Sequence, residues 1–387
     1  MHSFFVPTKI VFGRDTLDKI KELISAFGRR VLIITGKKSM QENGILDKIK
    51  ENLSGFKIIH FNKINFEPTV EDVDEARRLS FKKVDLVIGL GGGSVLDCAK
   101  ATAGLLNKKG RTLDYLLEKR KIEKEGIPFV AIPTTAGSGA EVTPNAVLID
   151  RKRKIKMSLR SFYLFAKLAI LDPTLTLTLP PKLTAYSGMD ALSQAIESYV
   201  SKGANHFTDA LAIEAIKIIG RSIIGVYKNG EDLSLRENML YGSLLSGIAL
   251  FNARMGVVHG LAHPLGVIYK LPHGLICGLL LPYAMEFNLK AVAEKYKEVA
   301  IALNLNVKSF SPQQASLEAI KKIRYFLREL KFPQNLKSLG VKKKDFLKII
   351  KDSLPSGSLK ANPIRVCSKD LKRILECAWE GGSLWNM

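Results

Sequence analysis

Cysteine is scarce in this chain, with 4 residues in 387, and no two cysteines form a C-x-x-C pair. A dense disulfide framework is therefore excluded, and a reduced cytoplasmic location is expected. The sequence also contains no uninterrupted apolar run near the ~20 residues that span a bilayer. The N-terminal residues Met1–Pro7 lack a basic stretch and a long apolar stretch, so we expect neither a signal peptide nor a membrane partner.

Acidic residues are few relative to basic ones, 37 against 59, which gives a formal net charge of +22. Such a balance can mark a nucleic-acid-binding protein. One basic cluster runs Arg151–Lys156, and the basic residues of the last quarter alternate with apolar residues in helical patterns, as in Lys321–Arg328. That pattern is typical of solvated helix faces, and no helix-turn-helix, zinc-finger or RRM signature is present. We therefore do not expect a nucleic-acid partner.

Ordinary globular usage is what remains: 46% of residues are hydrophobic and 25% are charged. This composition excludes a disordered or collagen-like chain. The length suggests two or three domains at about 150 residues each, and it permits a core that needs no disulfide.

The first half alternates short β-branched runs with amphipathic segments, which indicates βαβ units and a parallel sheet. Val6–Phe12 is expected to add an edge strand or hairpin. The helices are predicted over Ser39–Leu53, Glu71–Phe81 and Ser94–Asn107. The central strands are predicted over Val31–Thr35, Phe56–Phe61, Val84–Leu90, Phe129–Ile132, Ala146–Asp150 and Leu168–Leu171.

The second half has a helical period almost throughout after Pro180-Pro181. We therefore predict two domains, an α/β domain over residues 1–180 and an all-helical domain over 181–387. Within the second domain, helices are predicted over Ala185–Val200, Thr208–Tyr227, Leu233–Leu250, Ala291–Leu303 and Leu317–Leu330.

A glycine-rich loop follows the predicted strand Val84–Leu90. Its residues are Gly91, Gly92, Gly93 and Ser94, with Asp97 three positions after the serine. That spacing predicts a capping box, in which Ser94 caps the next helix. Glycines and a helix N-terminus favour a phosphate group, although G-x-G-x-x-G is matched only loosely and a plain tight turn is the alternative.

A second loop follows the predicted strand Phe129–Ile132. Thr134, Thr135 and Ser138 place three hydroxyl groups beside two glycines in this loop. Hydroxyls of this kind suit hydrogen bonds to phosphate or ribose oxygens. A plain polar loop explains the composition equally well.

Three of the 6 histidines fall close together, at His259, His263 and His273, and Asp190 and Gln194 lie one helical turn apart upstream. Imidazoles with a carboxylate form a ligand set for Fe(II) or Zn(II). A structural histidine pair is the alternative, and Asp190 could instead complete a helix cap after Ser187. Pro264 predicts that the helix carrying the first two histidines ends nearby, and His273 is expected in a turn or at a helix start.

Taken together, these segments resemble the iron-containing, group III alcohol dehydrogenase family over nearly the whole chain. The resemblance implies a dehydroquinate-synthase-like fold, α/β plus all-α, with an N-terminal Rossmann-like nucleotide-binding domain and a C-terminal helical metal-binding domain. The matching segments are Gly91–Lys100, Pro133–Glu141, Leu171–Pro173, Gly188–Leu192, His259–Gly266 and Pro272–Gly274.

The resemblance also implies roles for individual residues. The metal ligands would be Asp190, the position of Gln194, His259 and His273, and His263 would be a catalytic proton relay. The cofactor would be bound by Gly91, Gly92, Gly93, Ser94, Asp97, Thr134, Thr135, Ser138 and Lys156.

Two positions depart from the family pattern. Gln194 stands where the family usually has histidine, which predicts looser binding of Fe(II), with Zn(II) or another divalent metal as alternatives. Gly36 stands where members that use NAD often carry aspartate, and Lys37 follows it. Without that carboxylate, a 2′-phosphate is not repelled, so NADP(H) is favoured over NAD(H).

The function that the resemblance implies is a metal-dependent, NAD(P)(H)-linked alcohol dehydrogenase or aldehyde reductase. Its partners would be a small alcohol or aldehyde and a second copy of the chain in a homodimer. A dehydroquinate-synthase-type lyase or a glycerol-type dehydrogenase is the alternative on the same fold.

Overall fold

The computed structural model describes residues 3–65, 67–153 and 155–384. By its internal contacts the chain divides into residues 6–179 and residues 180–384, the latter joined by residues 3–5. Residues 1–2 and 385–387 of the predicted domains lie outside the described residues. Lys154 of the basic cluster also lies outside the described residues. The expectation about the N-terminus rests in part on Met1 and His2, which lie outside the described residues as well.

The first unit contains eight strands in its described residues. They are β1 Lys9–Phe12, β2 Arg30–Gly36, β3 Lys57–Ile64, β4 Leu86–Gly91, β5 Phe129–Pro133, β6 Asn145–Asp150, β7 Ile155–Arg160 and β8 Leu168–Leu171.

Six of these strands form one sheet in the order β1-β8-β5-β4-β2-β3, and every pair in it is parallel. The register pairs Val31 with Leu86 and Val87 with Phe129. Central strands of a parallel sheet are covered on both faces, so they consist of apolar residues almost throughout. Leu32 and Ile33 are fully buried, which stabilises the fold by about 1.5–3 kcal/mol for each side chain.

The pair β6 and β7 lies outside this sheet as a separate antiparallel hairpin. The expectation that Ala146–Asp150 adds another strand to the parallel sheet is therefore wrong. No helix lies among the residues described between β6 and β7, and parallel strands need a crossover connection of a dozen or more residues.

The predicted helices of the first unit are present, and two of them keep nearly the predicted bounds, as Val70–Ser80 and Gly93–Leu105. The predicted helix Ser39–Leu53 is two helices, because Gly44 adopts a left-handed conformation with φ 74° between them. The α-helices are α1 Ile20–Ile24, α2 Ser39–Glu42, α3 Ile45–Asn52, α4 Val70–Ser80, α5 Gly93–Leu105 and α6 Thr112–Leu116.

The second unit is helical throughout its described residues. Its α-helices are α7 Pro181–Val200, α8 His206–Lys228, α9 Leu233–Ala253, α10 Val257–Tyr269, α11 His273–Ala302, α12 Pro312–Glu329, α13 Phe346–Ser353, α14 Gly357–Ala361 and α15 Ser368–Glu380. Short 3-10 turns occur in both units, at Thr16–Lys19, Ser25–Phe27, Ala140–Val142, Phe162–Leu164, Pro173–Thr176, Lys337–Leu339 and Lys343–Asp345.

Three local expectations in this unit are corrected. Helix α10 continues through Pro264 to Tyr269 instead of ending near the proline. Helix α7 begins at Pro181, so Asp190 lies in its interior and caps no helix start. Helix α11 begins at His273 and is kinked at Val292 (φ −134°, ψ 30°), so the predicted helix Ala291–Leu303 corresponds to its last part and the stretch before the kink was missed.

Helix α11 is long and apolar enough, by length and composition, to cross a membrane, although 78% of that apolar window is buried inside the protein. Helices α9 and α10 pass the same test only as a pair, and they are bent by 103° relative to each other. Extensive burial is the property expected of a core helix. The expectation concerned uninterrupted apolar runs, and α11 contains polar residues such as Glu286 and Asn288.

Candidate metal and cofactor sites

Three helices of the second unit bring one carboxylate and two imidazoles together. Asp190 lies on α7, His259 on α10 and His273 is the first residue of α11. The Oδ1 atom of Asp190 lies 3.5 Å from Nε2 of His259 and 3.7 Å from Nε2 of His273. The residues that the sequence predicted as ligands from segments far apart in the chain are thus neighbours.

Glu197 orients one of these imidazoles. It lies on α7 two turns after Asp190, is buried, and its Oε2 lies 2.6 Å from Nδ1 of His259. Its other oxygen accepts a hydrogen bond from the backbone N–H of Val258 at 2.7 Å, in the first turn of α10. Because Nδ1 bonds to Glu197, the Nε2 atom of His259 is directed toward Asp190, the arrangement that proteins use for metal-binding histidines.

Gly274 allows α11 to approach α7 closely. A Cβ atom at this position would lie 2.1 Å from the carbonyl oxygen of Tyr186 and 3.2 Å from Cβ of Asp190. Any other residue would therefore push the two helices apart. The contact places His273 directly beside Asp190.

Cys277 is a fourth donor that the sequence interpretation missed. It follows His273 by one turn of α11, and its Sγ lies 3.5 Å from Nε2 of His273. The donor atoms of Asp190, His259, His273 and Cys277 all lie within 4.8 Å of one another. The i, i+4 spacing of His273 and Cys277 was the available signal, but it has meaning only once His273 is known to lie in a helix.

The electrostatics of this cluster favour the ionised carboxylate of Asp190 and the protonated imidazole of His259. Burial opposes ionisation of Asp190, yet His273 and His259 hold its pKa below the ordinary value. Burial likewise opposes a cationic His259, yet Cys277, Asp190 and Glu197 raise its pKa well above the ordinary value. Burial raises the pKa of the Cys277 thiol to about 12.

Oδ1 of Asp190 and Nε2 of His259 are buried and have no hydrogen bond among the described residues. Buried polar atoms in proteins almost always have a hydrogen-bond partner, so such a pair needs an explanation. Carboxylate and imidazole are ligands of divalent iron and zinc. A cation bound between these atoms would satisfy both, and the residues present therefore fit a metal centre.

Gln194 and His263 lie on the same helices as these donors. Gln194 is buried one turn after Asp190, and its Oε1 lies 3.3 Å from the hydroxyl oxygen of Ser246. His263 is half-buried one turn after His259, with its ring centroid 5.4 Å from that of His273. Both predicted residues are thus near the cluster, and their roles remain predictions.

In the first unit the glycine-rich loop connects β4 to α5. Gly92, not Ser94, is the N-cap of α5, and no side chain caps the helix, so the predicted capping box is wrong. Asp97 instead accepts a hydrogen bond from the backbone N–H of Val147 at 3.0 Å. A helix start without a side-chain cap leaves backbone N–H groups for an anion.

The hydroxyl-rich loop packs against this helix start. A Cβ atom at Gly93 would lie 2.5 Å from Oγ of Ser138, and one at Gly92 would lie 3.2 Å from the side chain of Thr135. Thr134 donates a backbone hydrogen bond to the carbonyl of Gly91 at 3.1 Å. The structure therefore brings together the two loops that the sequence selected separately.

The other predicted cofactor residues already have protein partners or lie at the end of β2, the strand next to β4. Lys156 forms a largely buried ion pair with Glu67. Asp97 lies 3.8 Å from Lys100, and burial raises its pKa to about 6. Gly36 is the last residue of β2, and Lys37 after it is exposed.

Comparison with known proteins decides the family. The family profile described as iron-containing alcohol dehydrogenase matches residues 7–173, and that of the C-terminal part of the Fe-containing alcohol dehydrogenase family matches residues 184–379. The chain belongs to the iron-containing alcohol dehydrogenase family. The predicted family, its fold and its activity as an NAD(P)-linked alcohol dehydrogenase are thereby confirmed, in preference to a lyase on the same fold.

Individual members of the family are similar over almost the whole chain. The NAD-dependent methanol dehydrogenase of Bacillus methanolicus is 34% identical and covers 98% of this chain and 100% of its own length. The NADPH-dependent butanol dehydrogenase of Clostridium saccharobutylicum is 32% identical, with 98% and 99% covered. A crystal structure of 1,3-propanediol oxidoreductase matches with a TM-score of 0.93 at 32% identity, covering 98% of this chain and 100% of that one.

Proposed function

We propose that this dehydrogenase holds a divalent cation between Asp190, His259 and His273. The family pattern indicates the position of Gln194 for a fourth ligand. The convergence of the first three donors carries the proposal. In particular, Oδ1 of Asp190 and Nε2 of His259 are buried 3.5 Å apart without a hydrogen bond in the described chain. Residues 181–387 would act as the metal-binding domain and residues 1–180 as the nucleotide-binding domain.

A divalent cation at this position would supply Lewis acidity toward the oxygen of an alcohol or aldehyde. The protein's own contribution is to fix the donors. Glu197 accepts a hydrogen bond from the Nδ1–H of His259, which leaves the lone pair of Nε2 available to a metal. The close contact of Gly274 with α7 keeps His273 beside Asp190.

His263 would exchange the alcohol proton with solvent. Its side chain is half-buried, in contrast to fully buried His259, and its ring lies against that of His273. A group that moves protons between a site and water needs this intermediate exposure.

The nicotinamide cofactor would supply the hydride chemistry, while the first unit supplies its binding groups. The start of α5 at Gly91–Ser94 offers backbone N–H groups to the pyrophosphate. Thr134, Thr135 and Ser138 offer hydroxyls from the adjoining loop. Asp97 and Lys156 would contribute through their positions near these loops, with their present partners Val147 and Glu67 holding them in place.

The cofactor would be NADP(H) in preference to NAD(H). Gly36 presents no carboxylate at the end of β2, and exposed Lys37 provides a positive charge beside it. Arginine and lysine side chains stabilise a phosphate by charge-assisted hydrogen bonds. Relatives of both kinds exist, since one is named NAD-dependent and another NADPH-dependent.

The substrate would be a small aliphatic alcohol or aldehyde, as the names of the relatives suggest for those proteins. We also propose that the enzyme acts in the cytoplasm as a homodimer without a nucleic-acid partner. Four free cysteines are consistent with a reducing compartment.

The test is anaerobic oxidation of NADPH, and then NADH, by a short aliphatic aldehyde, using chelator-stripped protein before and after reloading with Fe(II). We expect turnover only after reloading, and a higher kcat/KM with NADPH. Undiminished turnover of the stripped protein would contradict the metal. A higher kcat/KM with NADH would contradict the cofactor preference alone.

A further inference from the structure

The metal cluster contains a thiol that the predicted ligand set does not use. Cys277 is fully buried on α11, and its Sγ faces the same point as Asp190, His259 and His273. Of the four cysteines, Cys98 and Cys377 are buried elsewhere and Cys367 is exposed. Only Cys277 joins a group of metal-binding side chains among the described residues.

The spacing of these donors fits a four-coordinate cation. Zinc binds nitrogen at about 2.0–2.1 Å and sulfur at about 2.3 Å, so ligands at tetrahedral angles lie about 3.3–3.6 Å apart. Three of the six separations are 3.5 Å between Asp190 and His259, 3.7 Å between Asp190 and His273, and 3.5 Å between His273 and Cys277, and the other three are no longer than 4.8 Å. Small adjustments of side chains would bring the four donors around one cation, and zinc can expand to five ligands when a substrate oxygen is present.

Gln194 competes less well for the fourth position. Its Oε1 lies 3.3 Å from the hydroxyl of Ser246, and it is a neutral amide oxygen. A thiolate is a charged and softer donor than an amide oxygen, and soft sulfur ligands suit zinc, whereas oxygen ligands suit magnesium or manganese. The raised pKa of the buried thiol is no obstacle, since a coordinating cation deprotonates a thiol outright.

We infer that Cys277, rather than Gln194, is the fourth protein ligand of the metal centre, and that this Asp-His-His-Cys set selects Zn(II) over Fe(II). On binding, the S–H bond of Cys277 breaks, a sulfur–metal bond forms, and the proton leaves to solvent. This inference rests on the proposed function only in assuming that Asp190, His259 and His273 bind a divalent cation.

Cobalt(II) makes the ligand visible, because a thiolate bound to cobalt gives a charge-transfer band in the near ultraviolet that nitrogen and oxygen ligands do not give. Chelator-stripped wild-type protein titrated with Co(II) should develop this band at one equivalent. The band should persist in Gln194→Ala and in Cys98→Ala, a control at another buried cysteine. It should be absent from Cys277→Ser, which keeps the side-chain volume.

The same proteins should differ in affinity for Zn(II), measured by competition with a chromogenic chelator. Cys277→Ser should bind Zn(II) at least about tenfold more weakly than wild type, since even outer-shell partners contribute that much. Its preference for Zn(II) over Fe(II), measured as the ratio of affinities under anaerobic conditions, should fall.

One equivalent of cobalt bound to wild-type protein without the sulfur band would overturn the role of Cys277 and leave the metal centre intact. Persistence of the band in Cys277→Ser would overturn it equally. If wild-type protein bound no cobalt and no zinc, both this inference and the metal centre of the proposed function would fail.

Discussion

Single residues decide what the two halves of the enzyme can bind. At the metal cluster, the buried carboxylate of Glu197 fixes the ring of His259 by a 2.6 Å contact to Nδ1. At the cofactor end of β2, by contrast, the deciding feature is the absence of a side chain at Gly36. A Cβ atom there would meet only ordinary contacts, 3.7 Å to the carbonyl oxygen of Ile64 and 3.9 Å to Oγ of Ser39. The structure therefore tolerates a larger residue at this position.

Gly36→Asp should shift the cofactor preference toward NADH. The new carboxylate would repel a 2′-phosphate and accept a hydrogen bond from a 2′-hydroxyl. Hydrogen bonds to charged groups contribute about 1.5–3 kcal/mol, so the ratio of kcat/KM for NADPH to that for NADH should fall about ten- to hundredfold.

Gly36→Asn is the matched control, since it adds nearly the same volume without the negative charge. Its cofactor ratio should stay much closer to that of wild type. Equal ratios in both variants would show that side-chain volume, not charge, governs the preference, and would contradict the interpretation of Gly36.

At the scale of elements, the metal cluster depends on how closely α11 packs against α7. Gly274 makes this contact. A Cβ atom at Gly278, one turn later, would lie 3.1 Å from Cβ of Met189. Two glycines at i, i+4 on one helix face allow the backbones to approach. The donors on both helices then reach a common point.

Gly274→Ala should weaken metal binding and lower the unfolding temperature, because its Cβ would lie 2.1 Å from the carbonyl oxygen of Tyr186. Overpacking of this kind destabilises by about 1–3 kcal/mol. Calorimetry of the metal-loaded and stripped protein would measure both effects.

Gly266→Ala on α10 is the control, since its Cβ would meet ordinary contacts at 3.6 Å and 3.7 Å. Alanine favours a helix over glycine by about 1 kcal/mol, so this variant should be as stable as wild type or more so. An equal loss of metal affinity in both variants would remove the special role of the Gly274 contact.

The sequence predicts the elements better than their ends and partners. Periodicity and β-branched runs located every strand of the parallel sheet, because central parallel strands are apolar throughout. The hairpin partner Ile155–Arg160 was missed, since its basic and polar residues lack that signal. Cys277 was missed because the start of α11 at His273 depends on its packing against α7, which local propensity does not encode.

At the scale of the whole molecule, the sequence carries a net charge of +22 without a helix-turn-helix, zinc-finger or RRM signature. Several basic residues form ion pairs on the surface, as Lys343 does with Glu380 at 2.9 Å and Lys321 with Glu318 at 2.7 Å. Exposed pairs of this kind contribute little to stability. The charge therefore bears on solubility and on the approach of anionic cofactors more than on the fold.

The proposed metal ligands connect distant parts of the second unit, since Asp190 and His273 are more than 80 positions apart in sequence. A cation that binds the folded chain and not the unfolded one stabilises the fold by mass action. The catalytic centre and the packing of α7, α10 and α11 are therefore coupled.

In the proposed function, hydride transfer requires a cation held by His259 and its neighbours. The most direct measurement is kcat of His259→Ala with NADPH and a short aldehyde after metal reloading, beside His206→Ala, which alters an exposed histidine in the same unit. Loss of several kcal/mol of transition-state stabilisation predicts a fall of about a thousandfold for His259→Ala, with cofactor binding retained, and no change for His206→Ala. Near-normal turnover of His259→Ala would contradict the requirement for this cation in hydride transfer.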